Sequence, residues 1–293
     1  MLNRIRKFSR NIHFIRKFIA YTIVPSGLFD RFIINYQLDQ GWIERNNIVL
    51  QSADNEKIPR VPNAGTIKNG KQLMHNGLKI NLGSYYGPEV TRLLLDNKGV
   101  HEPQEELAFM QLLPFMKEGA VMIEMGAFWG FYSMWFQQAV PLAKNYLIEP
   151  DKFNMESGGR NFQLNHLKGN FFNYLIGDKT VRVKKGTSTI CIDDFIAEQG
   201  IDFVDLLHSD IQGFEGKMLE GASMLLQNKR VGYIFISTHS DELHYQCIEY
   251  LQKMDFHIVA SADMKQSFSL DGLIVAKNKA YPGPDIIDIS LRK

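Results

Sequence analysis

From about residue 100 the chain alternates between short apolar, β-branched runs and longer stretches of helical periodicity. The runs at 120–125, 145–149, 171–176, 203–209, 231–238, 256–260 and 271–276 read as strands, and helices are expected at 130–139, 152–166, 214–227 and 241–254. Strands separated by helices pair in parallel, since each crossover must carry the chain back to the same edge. Such a sheet is covered on both faces. The last two runs, "HIVAS" and "DGLIVAK", are joined by polar residues with no helix between them, which predicts an antiparallel final strand. Ligands of sheets of this kind bind beyond the carboxyl ends of the strands, where strand order reverses.

The region before residue 100 is less regular, and the main domain opens directly after it. "HEPQEELAFMQLLPFM" predicts a helix with Pro103 at its first position and Glu105 and Glu106 in its first turn, ended or bent by Pro114. A polar stretch at 51–72 is rich in turn formers, and short strands are expected around "GLKINLGSYYG". These features divide the chain into an N-terminal extension at 1–99, a main domain at 100–280 and a tail at 281–293.

Near the N-terminus Arg4, Arg6, Lys7, Arg10, Arg16 and Lys17 precede the first acid, Asp30. Leu2, Ile5, Phe8, Ile12, Ile15 and Ile19 recur at three- and four-residue steps. That is a basic amphipathic helix, suited either to an anionic membrane surface through residues 1–24 or to docking on the main domain. A net charge of +1 gives no bias towards nucleic acid. Two cysteines, Cys191 and Cys247, make neither a disulfide framework nor a metal cluster, and no apolar run reaches the roughly 20 residues a bilayer requires. A cytoplasmic setting is expected, with peripheral contact at the inner face of the membrane as the variant the basic helix allows.

The joint "EMGAFWG" places Glu124, Gly126, Ala127 and Gly130 where the first strand meets its helix. Gly126 admits close backbone approach, and Gly130 lets the helix pack tightly. Glu124 suits an ammonium group or the loop's own amides. The spacing is not GxGxxG, so the pyrophosphate fingerprint is absent, and a purely structural joint is an equal reading. Glu149 closes the second strand, where an acid accepts hydrogen bonds from ribose hydroxyls or caps a helix; Asp151 also suits the capping role. Asp178, after the third strand, is placed either to face an adenine ring or in a plain turn. In "LLHSDIQGFEG", His208 and Asp210 share one face of the fourth strand, and His239, Asp241 and His244 follow the fifth. Asp210 and His239 are candidates for general bases or ligands of a divalent cation such as magnesium.

Taken together and in order, "VMIEMGAFWGFYS", "LIEPD", "STICIDDFI", "DLLHSDIQGFEGKMLEGA" and "DGLIVAK" resemble the FkbM family of S-adenosylmethionine-dependent methyltransferases over about residues 100–277. The resemblance implies a class I methyltransferase fold, an α/β Rossmann-like seven-stranded sheet with its last strand antiparallel. It implies methyl transfer from S-adenosylmethionine to a hydroxyl of a sugar, glycan or related natural product. Glu124, Gly126, Ala127 and Gly130 would then lie on the methionine side, Glu149 at the ribose and Asp178 near the adenine. Asp210, His239 and His208 are the catalytic candidates from their own positions, and the role of His208 is not inherited from the family. Family members often carry Lys-Ile-Asp where this chain has His208-Ser209-Asp210, and many have Glu before the strand-five His where it has Ser237-Thr238-His239, so the acceptor side departs from the pattern. Two other readings stand beside this one: a non-catalytic scaffold at the membrane surface, and a nicotinamide-dependent oxidoreductase. Neither the acceptor nor the oligomeric state is legible.

Overall fold

The computed structural model describes Phe18 and residues 22–293. The basic helix expected over residues 1–24 falls almost wholly outside the described residues. The described chain divides into two compact units: one runs to Ile43 and resumes over Pro59–His101, and the other comprises Glu44–Ile58 and Glu102–Lys293.

The smaller unit holds a three-stranded antiparallel sheet of Ile67–Lys68, Lys71–Leu73 and Lys79–Asn81. Its first turn is Asn69-Gly70, both residues at positive φ, the backbone a two-residue hairpin requires. A helix at Pro88–Asp96 buries Val90, Leu93 and Leu94.

In the larger unit seven strands form one sheet: β1 (Val121–Met125), β2 (Lys144–Ile148), β3 (Asn170–Phe172), β4 (Val204–Ser209), β5 (Val231–Thr238), β6 (Phe256–Ala262) and β7 (Gly272–Asn278). Their order across the sheet is β6-β7-β5-β4-β1-β2-β3. Pairing is parallel from β5 through β3, and β7 alone runs antiparallel, between β5 and β6. The fold expected from the sequence is therefore the one observed. Strand order reverses between β1 and β4, which makes their carboxyl ends the predicted ligand address.

Helices α1 (Pro103–Leu112), α2 (Phe131–Ala139), α3 (Lys152–Leu164), α4 (Ile192–Gln199), α5 (Glu215–Gly221), α6 (Ser223–Gln227) and α7 (Asp241–Lys253) cover the sheet. On one face Ile123, Met125, Leu207, Ile234 and Ile236 pack against Phe195 of α4, Met218 and Leu219 of α5 and Cys247 of α7. On the other, Phe109 of α1 contacts the rings of Tyr132 and Trp135 of α2 and of Phe235 of β5. The α1 helix begins with Pro103 and carries Glu105 and Glu106 in its first turn, and a 3₁₀ turn through Pro114 ends it. The C-terminal residues pack too: Ser290 donates from N and Oγ to Asp54, each at 2.8 Å.

Two expectations need correction, and one helix adds to them. The run at 171–176 is not one strand. It divides into β3 and a short strand at Leu175–Ile176, which pairs with Thr189–Ile190 in a separate sheet. Between them, the side chain of Asn173 donates to the carbonyls of Glu149 and Pro150 and turns the chain off the main sheet. Helix 214–227 breaks at Ala222, because Asp193 accepts from the amides of Met224 and Leu225 and gives α6 its own start. Helix α4 was not anticipated. Asp193 and Asp194 in its first turn and Gly200 at φ +62° beyond its last residue bound a single turn-pair of apolar residues, too short to show clear periodicity.

Candidate functional site

Each of Glu149, Asp210 and His239 is the first residue beyond its strand, and Asp271 immediately precedes antiparallel β7. Thr238 lies opposite Gly272 in the β5–β7 register. All four residues therefore occur at the same edge of the sheet.

At the reversal point the two strand ends meet through their backbones. The amide of Asp210 donates to the carbonyl of Met125 at 3.0 Å. Gly126 lies at φ +71°, and a Cβ there would come 1.7 Å from the carbonyl oxygen of Asp210. Its missing side chain thus makes room for β4's own continuation, where the sequence suggested an approaching ligand. Gly130, also at φ +71°, packs on Phe162 and Leu147, as tight helix packing requires.

The loop between them is curled, with Phe128 at φ +40° as well. Its amides are spent internally: those of Gly126 and Ala127 donate to the carbonyl of Ile148, and that of Phe128 to Glu149 Oε2 at 3.1 Å. The other carboxylate oxygen of Glu149 accepts from the amide of Asp151 at 2.8 Å. Asp151 in turn caps α3 through the amides of Phe153 and Asn154. The side chain of Asn154 also donates to Glu149, and a carboxylate with about four acceptor positions retains capacity beyond these three bonds. Burial raises its carboxyl above the ordinary value, opposed by the two amides. Glu124 is 4 % exposed and accepts from the amide of Ser133 at 3.2 Å. It thereby satisfies an orphan N–H in the first turn of α2, which Gly130 cannot cap with a side chain. Burial pushes the Glu124 carboxyl up to about 7.

His208 stands opposite Glu124 in the β1–β4 register and is buried under α1 and α2. Its Nε2 lies 2.6 Å from Glu105 Oε1, and the other oxygen of Glu105 accepts from the hydroxyl of Ser237 at 3.1 Å. The ring of Tyr132 lies alongside, 4.5 Å between centroids. Burial and the neighbouring Glu102 raise the Glu105 carboxyl, against the pull of His208. Burial opposes protonation of His208, but Glu105, Glu124 and Asp210 overcome it and raise its pKa. His208 therefore belongs to a packed polar layer, inside the strand, rather than to the strand's end.

His239 is enclosed by carboxylates. Its Nδ1 is 2.8 Å from Glu215 Oε1, and its Nε2 is 3.3 Å from Asp210 Oδ1 and 3.4 Å from Asp271 Oδ1. The amide of Gln212 also reaches both Asp210 and the ring. Burial works against the imidazolium, yet Asp210, Glu215 and Asp271 push its pKa up to about 10. The Asp271 carboxyl is pushed up to about 7 by burial and by Glu102.

Other candidates lie elsewhere. Asp178 is exposed and pairs with Lys217 at 3.7 Å. His244 turns inward, between Thr238 Oγ1 at 2.8 Å and Ser261 Oγ at 2.9 Å. Asp241 accepts from the amide of Met264. Asp271 and Glu215 were missed by sequence reasoning. A signal for Asp271 was present, since the start of an antiparallel closing strand must return to the carboxyl edge of its parallel neighbours.

Among curated proteins no sequence matches this one. Solved structures similar to it include a putative S-adenosylmethionine-dependent methyltransferase from Streptococcus mutans, at 13 % identity over 73 % of this chain and 57 % of that one, TM-score 0.45. A putative rRNA methylase from Clostridium thermocellum is similar at 12 % identity over 59 % of this chain and 94 % of that one, TM-score 0.44. A precorrin-6y C5,15-methyltransferase from Geobacter metallireducens GS-15 is similar at 14 % identity over 60 % of this chain and 89 % of that one, TM-score 0.42. Residues 180–258, from the turn after Lys179 through β4, β5 and α7 into β6, match the methyltransferase FkbM domain.

Proposed function

We propose that the protein transfers a methyl group from S-adenosylmethionine to a hydroxyl of a sugar, a glycan or a related natural product. The observation that carries this is the juxtaposition, at the strand-order reversal, of the glycine loop after β1, Glu149 after β2 and Asp210 after β4. Glu149 would hold the ribose: it is buried, fixed by two amides, and has acceptor capacity left for a diol. The loop 126–130 would border the methionine portion. When bound, S-adenosylmethionine supplies an electrophilic sulfonium methyl group.

A sugar hydroxyl is a weak nucleophile at neutral pH, so its proton must pass to a base as the oxygen attacks. Asp210 supports that role, because its side chain is 31 % exposed at the strand end. His239, held between Glu215, Asp210 and Asp271, is suited instead to fixing the two aspartates in place. Holding the acceptor oxygen in line with the methyl group accounts for much of the acceleration such enzymes achieve.

Calorimetry with S-adenosylhomocysteine tests the cofactor, and the absence of binding would overturn the proposal. Product mass spectrometry against a panel of sugars and glycan oligomers tests the acceptor. Asp210→Asn should bind S-adenosylhomocysteine within about threefold of wild type and lose turnover by at least a hundredfold. Normal turnover in that variant would remove Asp210 from the mechanism.

A further inference from the structure

The chemistry at the ends of β4, β5 and β7 goes beyond what a proton acceptor alone requires. Asp210, His239 and Asp271 come from three separate strands, and one potential ligand atom from each lies within 4.8 Å of the others. Donor atoms sharing one divalent ion, each about 2.0–2.3 Å from it, are separated by roughly 3–4.5 Å, so the spacing suits a single ion.

A second observation concerns orientation. Glu215 is completely buried, and its Oε1 meets His239 Nδ1 at 2.8 Å while also accepting from the amide of Gly213 at 3.1 Å. A carboxylate fixed on one ring nitrogen turns the other towards its ligand, the arrangement that supports metal-bound histidines. Here the other nitrogen, Nε2, faces both aspartates and the side-chain amide of Gln212. The second oxygen of Glu215 is buried and has no hydrogen-bond partner. Among the described residues no lysine or arginine forms an ion pair with Asp210, Glu215 or Asp271. Three carboxylates thus converge with one imidazole and no other cation.

We propose that Asp210, His239 Nε2 and Asp271 bind one divalent cation, with Glu215 as the positioning residue behind the histidine. The ion would occupy the space where Nε2 and the two aspartates converge, displacing the side-chain amide of Gln212 from Nε2. Asp210 would bind it through one oxygen and keep the other for the acceptor hydroxyl. The ligand set, imidazole with two carboxylates and open positions, suits magnesium or manganese with water or a substrate hydroxyl completing the shell. The site's use in methyl transfer rests on the proposed function; its existence does not.

Manganese titration of the full chain, followed by electron paramagnetic resonance, tests it directly. Wild type should bind one Mn²⁺ per chain at submillimolar concentration, displaced by excess Mg²⁺. Asp271→Asn should weaken binding at least tenfold. Glu215→Gln should weaken it about 10–100-fold, since it disturbs only the orientation of the histidine. Lys217→Ala, outside the cluster, should bind as wild type does. If Asp271→Asn does not fold, His239→Asn serves to locate the ion. No saturable binding by wild type, or undiminished binding in the folded ligand variants, would overturn the site. Calorimetry with S-adenosylhomocysteine on the same samples separates the two ideas: a protein that binds S-adenosylhomocysteine but shows no saturable Mn²⁺ binding sinks the metal site alone.

Discussion

The α-carbon of Gly126 faces the carbonyl of Asp210 so closely that a Cβ would lie 1.7 Å from its oxygen. The loop expected to carry the cofactor and the carboxylate expected to carry the chemistry are therefore one rigid backbone junction.

Gly126→Ala should be among the most damaging single substitutions in the chain. The residue would have to tolerate a left-handed backbone, which costs about 1 kcal/mol, and the β1–β4 junction would have to open. A loss of at least about 3 kcal/mol by urea denaturation is expected, with S-adenosylhomocysteine binding lost too. Gly130→Ala shares the φ of +71°, but its nearest obstacle is the ring of Phe162 at 2.9 Å, and a side chain can shift. It should cost about 1–2 kcal/mol. The reverse ranking would contradict this account of the junction.

The pair His208–Glu105 joins β4 to α1 across the layer between sheet and helices. Removing either partner strands the other in a site where both are at most 7 % exposed. Glu105→Ala or His208→Ala should each cost about 3–5 kcal/mol. Replacing both with apolar residues of similar size should cost much less than the sum. An additive double-mutant cycle would show that the pair does not act as a unit.

Some of this was legible from the residues alone. Strand–helix alternation and the missing helix before "DGLIVAK" specify the sheet and its antiparallel β7, because each is a local pattern with a single topological outcome. The strand-end positions of Glu149, Asp210 and His239 follow from the same pattern. What could not be read were the partners. Asp271 lies 61 residues from Asp210 in sequence but shares His239 with it. Glu105 finds His208 only because α1 lies over the sheet. Gly126 illustrates the limit: its residue type reports a close approach, and only the fold reveals that the approaching group is backbone.

Stability should depend on pH through Glu124. Its carboxyl titrates at 4.5 when unperturbed and at about 7 in the fold, so the folded state binds the proton more tightly between those values. The contribution is fully present below about pH 4.5 and is lost as pH rises through about 7. Glu124→Gln keeps an oxygen for the Ser133 amide but has no proton to lose. Relative to wild type, the variant should gain stability across that window, on the order of 3 kcal/mol in total. Glu105 and His208 are shifted upward as well, but both remain in each protein, so the difference between the two curves is the readout. Parallel curves from pH 4 to 8 would mean that folding leaves the Glu124 carboxyl unshifted.

Glu149 offers the sharpest test of the cofactor side, because its two oxygens receive amides from different segments, Phe128 after β1 and Asp151 before α3. Glu149→Gln preserves shape but presents one oxygen and one NH₂ group to two N–H donors. One donor must then lose its acceptor, at a cost of about 1–3 kcal/mol. The same exchange withdraws an acceptor from the face where a ribose diol would bind. Affinity for S-adenosylhomocysteine should therefore fall at least tenfold by calorimetry. For adenosine-free probes such as homocysteine no matching loss is expected, since the substitution lies at the ribose and not at the sulfur. A variant that loses stability while keeping S-adenosylhomocysteine affinity would make Glu149 a loop clamp and move the ribose elsewhere.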